Sequence, residues 1–85
     1  MARVIVYSQP HCPACNAQKA WFRSEQVAFE DRDVTARQEW LEELVGLGSQ
    51  GTPTTIVESG GAREVVIGFD RGRLRTLLRD AARGA

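Results

Sequence analysis

The two cysteines of the chain, Cys12 and Cys15, are separated by two residues in the stretch His-Cys-Pro-Ala-Cys. An apolar, β-branched run precedes them and a stretch without glycine or proline follows, which predicts a strand, a loop and a helix. Pro13 suits the first helical position, where the N–H that proline lacks would be unpaired in any case. Cys12 then lies at the positive end of the helix dipole, where free N–H groups stabilise an anion. We therefore expect Cys12 to react as a thiolate, with a pKa below the value of about 8.5 of a free thiol.

The spacing of the cysteines supplies the second half of the chemistry. Side chains three residues apart on a helix have Cβ atoms about 5–6 Å apart, whereas a disulfide requires roughly 3.5–4.5 Å. The first turn of the helix must therefore tighten to close the bridge, and such a bridge can be made and broken repeatedly. We predict that Cys12 attacks a target disulfide and that Cys15 resolves the mixed disulfide that results.

Other uses of these residues are less favoured by the sequence. A structural zinc ion needs four ligands as a rule, and the chain offers two cysteines and one histidine, His11, so we predict no metal site. A purely structural disulfide would close a very short loop and stabilise little. His11 either favours the Cys12 thiolate while its imidazole is protonated or is a loop residue without a role. Lys19, one turn beyond Cys15, either steadies the thiolate or is simply solvated.

The length and charge of the chain limit the classes of function. Its 85 residues predict one domain, 1–85, and its 11 basic and 11 acidic side chains give a formal net charge of zero. This balance indicates neither a nucleic-acid nor a membrane surface, and no apolar run approaches the ~20 residues that span a bilayer. Met1 leads directly into a strand, without the pattern of a signal peptide. We therefore expect a cytoplasmic monomer, in a compartment where a cysteine pair is more often catalytic than structural.

Hydrophobic periodicity and turn residues predict the elements that position the cysteines. The expected strands are 3–8, 27–34, 54–57 and 63–67, with a hairpin turn at 59–61. The expected helices are 13–26, a second one capped by Thr35 and ended by Gly46 and Gly48, and a third one capped by Asp70. In the first helix, the positions at helical spacing are Ala17, Ala20, Trp21 and Ser24. The apolar stripes of the next two helices are Trp40, Leu41, Leu44, Val45 and Leu47, then Leu74, Leu77, Leu78 and Ala81.

The remaining side chains of the helices are interpreted by the same periodicity. Trp21 and Phe22 are expected to pack on the sheet. The charged positions are interpreted as solvated faces: Glu39, Glu42, Glu43, Arg71, Arg73, Arg75, Arg79 and Arg83.

The element order, the Cys-Pro-x-Cys motif with Lys19 behind it, and the later Thr52-Pro53 together resemble the glutaredoxins. The resemblance covers nearly all of the chain. It implies an α/β, thioredoxin-like fold in the order βαβαββα, with a central mixed four-stranded sheet and three helices. It also implies a dithiol oxidoreductase that reduces protein or mixed disulfides. An X–Pro bond is cis only ~5–6% of the time, but the resemblance implies that Pro53 is cis and lies beside the cysteines.

The same resemblance implies a set of substrate-binding residues. The main chain of Thr52 would pair with an incoming peptide or glutathione as a strand does, and Asp70 would meet the γ-glutamyl end of glutathione. The full implied set is Tyr7, Gln9, Thr52, Pro53, Gly68, Phe69 and Asp70. Three departures from the family pattern weaken the case for glutathione. Gln9 replaces a basic residue, Ala14 replaces a common tyrosine, and Phe69 replaces the second glycine of a pair.

The resemblance implies no permanently bound cofactor, and it leaves several electron donors open. Glutathione, another low-molecular-weight thiol, as in mycoredoxin-like proteins, or thioredoxin reductase could reduce the pair. Gly68-Phe69 is also similar to small redoxins that serve ribonucleotide reductase, although their Cys-x-Gln-Cys signature is absent. An iron–sulfur cluster carrier, which usually has a Cys-Gly-Phe-Ser motif, is disfavoured by Pro13 and Cys15. The expected partners are disulfide-containing proteins.

Overall fold

The computed structural model describes residues 2–82, without the side chain of Ala2. Strands and helices follow one another as β1 (Ala2–Ser8), α1 (Pro13–Ser24), β2 (Glu30–Asp33), α2 (Gln38–Gly46), β3 (Thr54–Ser59), β4 (Ala62–Ile67) and α3 (Arg71–Ala82). Met1 and 83–85, the ends of the predicted domain, lie outside the described residues, and so does the predicted solvated Arg83. The order βαβαββα and the α/β fold class are confirmed.

One mixed sheet carries all four of these strands, in the spatial order β2-β1-β3-β4. β1 is parallel to β2 and antiparallel to β3, which in turn is antiparallel to β4. The nearly continuous apolar run of β1 explains its central place, because Val4, Ile5, Val6 and Tyr7 are all buried, with helices on both faces of the sheet. The carboxyl end of this central strand leads into the loop that holds the cysteines.

Each face of the sheet has its own hydrophobic core, because side chains alternate along a strand. Val6, Phe22, Val66 and Leu74 belong to the core between the sheet and the helices α1 and α3. The core under α2 consists of Ile5, Tyr7, Val34, Leu44 and Ile56. Full burial of a side chain such as Phe22 contributes about 1.5–3 kcal/mol, so the larger core fixes α1, and with it the cysteines, against the sheet.

Several predicted boundaries are wrong, among them the end of β3, which extends to Ser59 instead of residue 57. α1 ends at Ser24 instead of residue 26, because Gln26 has a left-handed backbone with a φ of 58°. β2 begins at Glu30 instead of residue 27, because residues 27–29 form a connection without strand structure. Thr35 does not cap α2, whose first residue is Gln38. Its hydroxyl instead donates to Asp33 Oδ1 at 2.6 Å, which closes a turn and lowers the pKa of that carboxyl.

The predicted apolar stripes are right for α3 and partly wrong for the other two helices. In α3, Leu74 and Ala81 are buried, and Leu77 and Leu78 pack partly buried against them. In α1, Phe22 and Trp21 pack as predicted, but Ala17, Ala20 and Ser24 are exposed. The residues that α1 buries are Cys15, Gln18 and Phe22. In α2, Leu41 and Val45 are exposed, because this helix faces the sheet mainly through Leu44.

Candidate active site

The loop after β1 places Cys12 at the start of α1. Cys12 is the N-cap residue, with an extended backbone (φ −114°, ψ 97°), and Pro13 follows at the first helical position. The Cys12 sulfur accepts a hydrogen bond from the Cys15 backbone N–H at 3.1 Å. It therefore occupies the place that a serine or aspartate oxygen takes in an ordinary N-cap. A negative charge on this sulfur would face free N–H groups and the positive end of the helix dipole.

Cys12 and Cys15 form a disulfide, with Cα atoms 5.2 Å apart. This distance lies within the usual range of roughly 4.4–6.8 Å, and the bridge joins the N-cap residue Cys12, whose backbone is extended, to the first turn of α1. The two residues differ in access, because Cys12 keeps 7% of its surface exposed and Cys15 keeps 0%. An incoming thiol therefore reaches Cys12, and Cys15 is shielded beneath it.

The segment before β3 covers the other side of the disulfide. The Thr52–Pro53 peptide bond is cis, as the resemblance implied. The Cys12 sulfur lies 3.7 Å from both the carbonyl and the hydroxyl oxygen of Thr52. The Pro53 carbonyl accepts a hydrogen bond from the Gly68 N–H at 2.8 Å. Three parts of the chain that are distant in sequence, the start of α1, Thr52-Pro53 and Gly68, therefore lie together around Cys12.

Two hydroxyl groups that the sequence analysis missed, those of Ser49 and Thr54, fix the conformation of this segment by hydrogen bonds. The Ser49 and Thr54 hydroxyls lie 2.7 Å apart, and the Thr54 hydroxyl donates to the Gly51 carbonyl at 2.7 Å. Both side chains are buried, so these bonds form away from water. The polar residues on either side of Thr52-Pro53 were the only sequence signal for this network.

Gln18 is a second buried polar residue that the sequence analysis missed. It lies three residues after Cys15 on the buried side of α1 and is fully enclosed. Its Nε2 donates to the Thr55 hydroxyl at 2.5 Å, while its Oε1 has no partner among the described residues. A count of helical phase from Cys15, instead of from the alanines, would have placed Gln18 inside.

The supporting residues predicted around the cysteines differ in what they contact. His11 is exposed, has a left-handed φ of 59°, and makes no side-chain hydrogen bond within residues 2–82, so its tuning role stays a prediction. Lys19 Nζ lies 2.9 Å from Asp31 Oδ2, and the other oxygen of Asp31 accepts the Ser8 hydroxyl at 2.6 Å. The charge of Lys19 is therefore matched by Asp31 instead of being directed at the Cys12 sulfur.

The predicted substrate-binding residues are only partly brought together. Thr52, Pro53 and Gly68 meet near Cys12, and Phe69 and Asp70 follow Gly68. Asp70 is exposed and caps α3, since its Oδ1 accepts the Arg73 N–H at 3.1 Å. Gln9 lies in the exposed loop after β1.

Tyr7 lies on the opposite face of the sheet from this group, in the core under α2. Its hydroxyl donates to Glu43 Oε1 at 2.7 Å, and burial, followed by that carboxylate, raises the pKa of Tyr7. A buried side chain with an engaged hydroxyl is poorly placed to contact a substrate.

Metal sites and membrane-spanning helices are two other features that bear on function. Within residues 2–82, no three His, Cys, Asp or Glu side chains are grouped so that they could hold a metal ion. None of the helices described is both long and apolar enough to cross a membrane.

Comparison with known proteins gives one family. The family model described as Glutaredoxin matches residues 4–60. The chain is 28% identical over 50 residues to the glutaredoxin-like protein NrdH of Lactococcus lactis subsp. lactis (strain IL1403), which covers 59% of this chain and 69% of that protein. It is 27% identical over 76 residues to an uncharacterized glutaredoxin-like 8.6 kDa protein in the rubredoxin operon of Clostridium pasteurianum, covering 88% of this chain and 96% of that one.

Solved structures agree with this family at the level of the fold. The thioredoxin-like protein BC3987 is 34% identical, with a TM-score of 0.78, and the match covers 88% of this chain and 99% of that one. A thioredoxin of Malassezia sympodialis is 20% identical with a TM-score of 0.72, covering 94% of this chain and 76% of that one. The second likeness shows the thioredoxin fold alone.

Proposed function

The chain belongs to the glutaredoxin family of thiol–disulfide oxidoreductases, and we propose that it reduces protein disulfides or mixed disulfides through Cys12 and Cys15. The observation that carries this proposal is the unequal access of the two cysteines, of which Cys12 reaches the surface and Cys15 is enclosed. A substrate sulfur can approach Cys12 from solvent, and Cys15 lies within disulfide-bonding distance of Cys12.

The first step is the attack of the reduced Cys12 thiolate on one sulfur of a substrate disulfide. A bond forms between Cys12 and that sulfur, the substrate S–S bond breaks, and the other substrate sulfur leaves as a thiolate that takes up a proton. The Cys15 N–H, the helix dipole and the Thr52 hydroxyl all lie where they stabilise the attacking anion. The Thr52 main chain offers the substrate a strand-like contact.

The second step resolves the mixed disulfide. Cys15, as its thiolate, attacks the Cys12 sulfur, forms the Cys12–Cys15 bond and releases the first substrate sulfur as a thiol. The substrate has then gained two electrons and two protons, and the protein is left in the oxidised state that the structure presents. An external donor of two electrons must return the pair to its dithiol form.

Glutathione or another low-molecular-weight thiol is the first candidate for this donor. Thr52 could pair with its main chain, and the capped start of α3 at Asp70 could receive an amino-acid end. Gln9 provides no cation for a glutathione carboxylate, and a missing exposed ion pair costs about 0.2–1 kcal/mol. Arg37, the N-cap residue of α2, could replace that cation, but it lies 2.9 Å from Glu39 and over the Trp40 ring. We therefore expect weak to moderate use of glutathione.

A second candidate is a redoxin that takes electrons from thioredoxin reductase and passes them to ribonucleotide reductase. The similarity to a glutaredoxin-like protein NrdH and the Gly68-Phe69 pair favour this interpretation. Phe69 lies partly exposed beside Trp21, where a second glycine would leave open space. The bulk of this ring near Asp70 works against a tightly bound glutathione.

The test is NADPH consumption with a protein disulfide, once with glutathione and glutathione reductase and once with thioredoxin reductase alone. Turnover in either arm that Cys12→Ser removes supports the proposed oxidoreductase function, and absence of turnover in both arms contradicts it. Activity with thioredoxin reductase alone would assign the chain to the second candidate. Restored glutathione turnover in Gln9→Lys would identify the missing cation as the cause.

A further inference from the structure

Arginine side chains and aromatic rings form one surface between α1 and α3. The guanidinium carbons of Arg71 and Arg75 each lie 5.7 Å from the Trp21 ring centre. Arg71 is also 5.7 Å from the Phe69 ring, and the Trp21 and Phe69 rings are 6.0 Å apart. We call Trp21, Phe69, Arg71 and Arg75 the arginine–aromatic surface.

The arginines of this surface have no acidic partner in the described part of the chain. Arg71 and Arg75 form no ion pair there, and neither do Arg23 and Arg79 nearby. Arg73, which pairs with Glu64 at 3.7 Å, is the exception on α3. A guanidinium that stacks on an aromatic ring keeps its N–H edge free for a carboxylate. The surface therefore holds oriented cations that form no ion pair within residues 2–82.

A groove of about 220 Å³ continues the surface along the two helices. Trp21, Val27 and Leu78 provide apolar contacts in it, while Arg75, Arg79 and one acidic residue, Glu25, supply its charges. An apolar floor with a mainly cationic rim fits a segment that carries both apolar and acidic side chains.

The geometry connects this surface to Cys12 in two ways. Phe69 follows Gly68, whose N–H holds the Pro53 carbonyl next to Thr52 and the Cys12 sulfur. Trp21 lies nine positions after Cys12 in the chain, which corresponds to about 13 Å along a helix. This is the separation along the axis alone, so an extended segment needs at least about four residues to reach from Cys12 to Trp21.

We propose that the arginine–aromatic surface docks an acidic segment of the disulfide-bearing protein substrate, about four or five residues from the reacting cysteine. This docking site rests on the proposed function and names its substrate class, since a disulfide at Cys12 brings such a segment into reach. Carboxylates pair with the free edges of Arg71 and Arg75, and apolar side chains contact Trp21. Charge complementarity of this kind acts mainly on the rate of association, and salt weakens it.

The experiment uses prereduced protein in single turnovers with two symmetric peptide disulfides. The peptides are identical except that positions four and five from the cysteine are Glu-Glu in one and Gln-Gln in the other. Oxidation of the protein is followed by acid quench and mass spectrometry. We expect the acidic peptide to react about three- to tenfold faster at low ionic strength, as two exposed ion pairs allow.

Two double variants each remove two positive charges, one from the arginine–aromatic surface and the other from a distant surface. Arg71→Gln/Arg75→Gln should lose the preference for the acidic peptide and keep the rate with the neutral one. Arg3→Gln/Arg63→Gln is the matched control, because both arginines line a hollow beside the β3–β4 turn, away from the disulfide. It should keep the preference. Equal loss in both variants, or a preference that survives in Arg71→Gln/Arg75→Gln, would overturn the docking site.

A binding measurement separates this docking site from the proposed function. If the parent reduces neither peptide, the oxidoreductase proposal fails, and binding of a cysteine-free acidic peptide decides the docking site. Trp21 fluorescence in a Trp40→Phe background reports that binding. A salt-sensitive affinity that Arg71→Gln/Arg75→Gln removes supports the site, and no binding overturns it. Tighter binding of a single-stranded oligonucleotide would also overturn it, by making the surface a nucleic-acid site.

Discussion

The face under α2 and the arginine–aromatic surface differ in how their charged side chains are paired. Under α2, the Tyr7 hydroxyl donates to Glu43, Arg32 binds both Glu43 and Glu30, and Arg3 lies 3.1 Å from Glu30. On the α1–α3 face, Arg71 and Arg75 lie over Trp21 without carboxylate partners in the described residues. Cys12, at the start of α1, keeps 7% of its surface exposed, whereas Cys15 keeps none.

This difference separates residues that serve folding from residues that serve reaction. Polar groups that satisfy one another, as Tyr7 and Glu43 do, have little left to offer a ligand. Groups whose partners are missing from the described structure, such as Arg71, are available to an external molecule. We therefore expect changes under α2 to alter the free energy of unfolding, and changes near Cys12 to alter the rate of disulfide reduction.

Replacement of Cys12 is the largest expected effect and the strongest test of the comparison. Cys12→Ser should abolish reduction of every disulfide, because a serine hydroxyl is not a thiolate nucleophile at neutral pH. The assay is coupled NADPH consumption, together with denaturant unfolding of the reduced proteins. If Cys12→Ser lowers the unfolding free energy of the reduced protein substantially, Cys12 is also structural and the comparison breaks down.

Replacement of Cys15 should divide the reaction into its two steps. Cys15→Ser should trap a mixed disulfide on Cys12 and slow protein-disulfide turnover by at least about 100-fold, because a well-oriented internal group exceeds an external thiol in effective concentration by far more than that. Intact-mass spectrometry detects the trapped adduct. Undiminished turnover, or faster alkylation of Cys15 than of Cys12 near pH 6, would reverse the two roles.

The chemistry of the pair was largely predictable from sequence because it depends on local structure. Cys12, Pro13 and Cys15 are fixed by the helix start itself, and the cis Pro53 was implied by the whole pattern of the family. The predicted end of α1 failed because of a single backbone angle, the left-handed φ of Gln26. Hydrophobic periodicity does not contain that information.

Contacts between distant residues could not be predicted in the same way. Helical phase from Cys15 places Gln18 inside, but it does not identify the Thr55 hydroxyl on β3 that accepts its hydrogen bond. Tyr7 bonds to Glu43 because α2 packs over that face of β1. The arginines of α3 were interpreted as solvated, and only the folded chain places two of them over Trp21. Such pairings require the three-dimensional arrangement of the elements.

Tyr7→Phe tests the face under α2, where we expect an intermediate loss of stability. The change removes one hydrogen bond and keeps the ring in the core, so the unfolding free energy should fall by about 0.5–1.5 kcal/mol. For a domain of this size, a loss of 1 kcal/mol lowers the melting temperature by roughly 4–8 °C. Turnover with a protein disulfide should stay unchanged. A fall in kcat/KM without loss of stability would instead make Tyr7 a substrate-binding residue, as the sequence implied.

The smallest expected effect is the contribution of Glu43 to stability at acid pH. The hydrogen bond from Tyr7, followed by Arg32, holds the pKa of the Glu43 carboxyl below its ordinary value. A carboxyl with a lowered folded-state pKa stabilises the protein fully above its unfolded-state pKa of about 4.3, and this stabilisation is lost as the pH falls through the folded-state value. Because 42% of the Glu43 side chain is exposed, solvent screening limits the effect to a few tenths of a kcal/mol.

Glu43→Gln should therefore lower the unfolding free energy slightly at pH 7 and flatten its decline below about pH 4.3, the ordinary pKa of glutamate. Glu42→Gln is the matched control, because Glu42 is the neighbouring glutamate on α2 and makes no ion pair or side-chain hydrogen bond within residues 2–82. Urea unfolding across this pH range measures both variants. Equal flattening in the two would mean that overall charge governs the acid response, and the contacts of Glu43 with Tyr7 and Arg32 would then have no special part in stabilising that face.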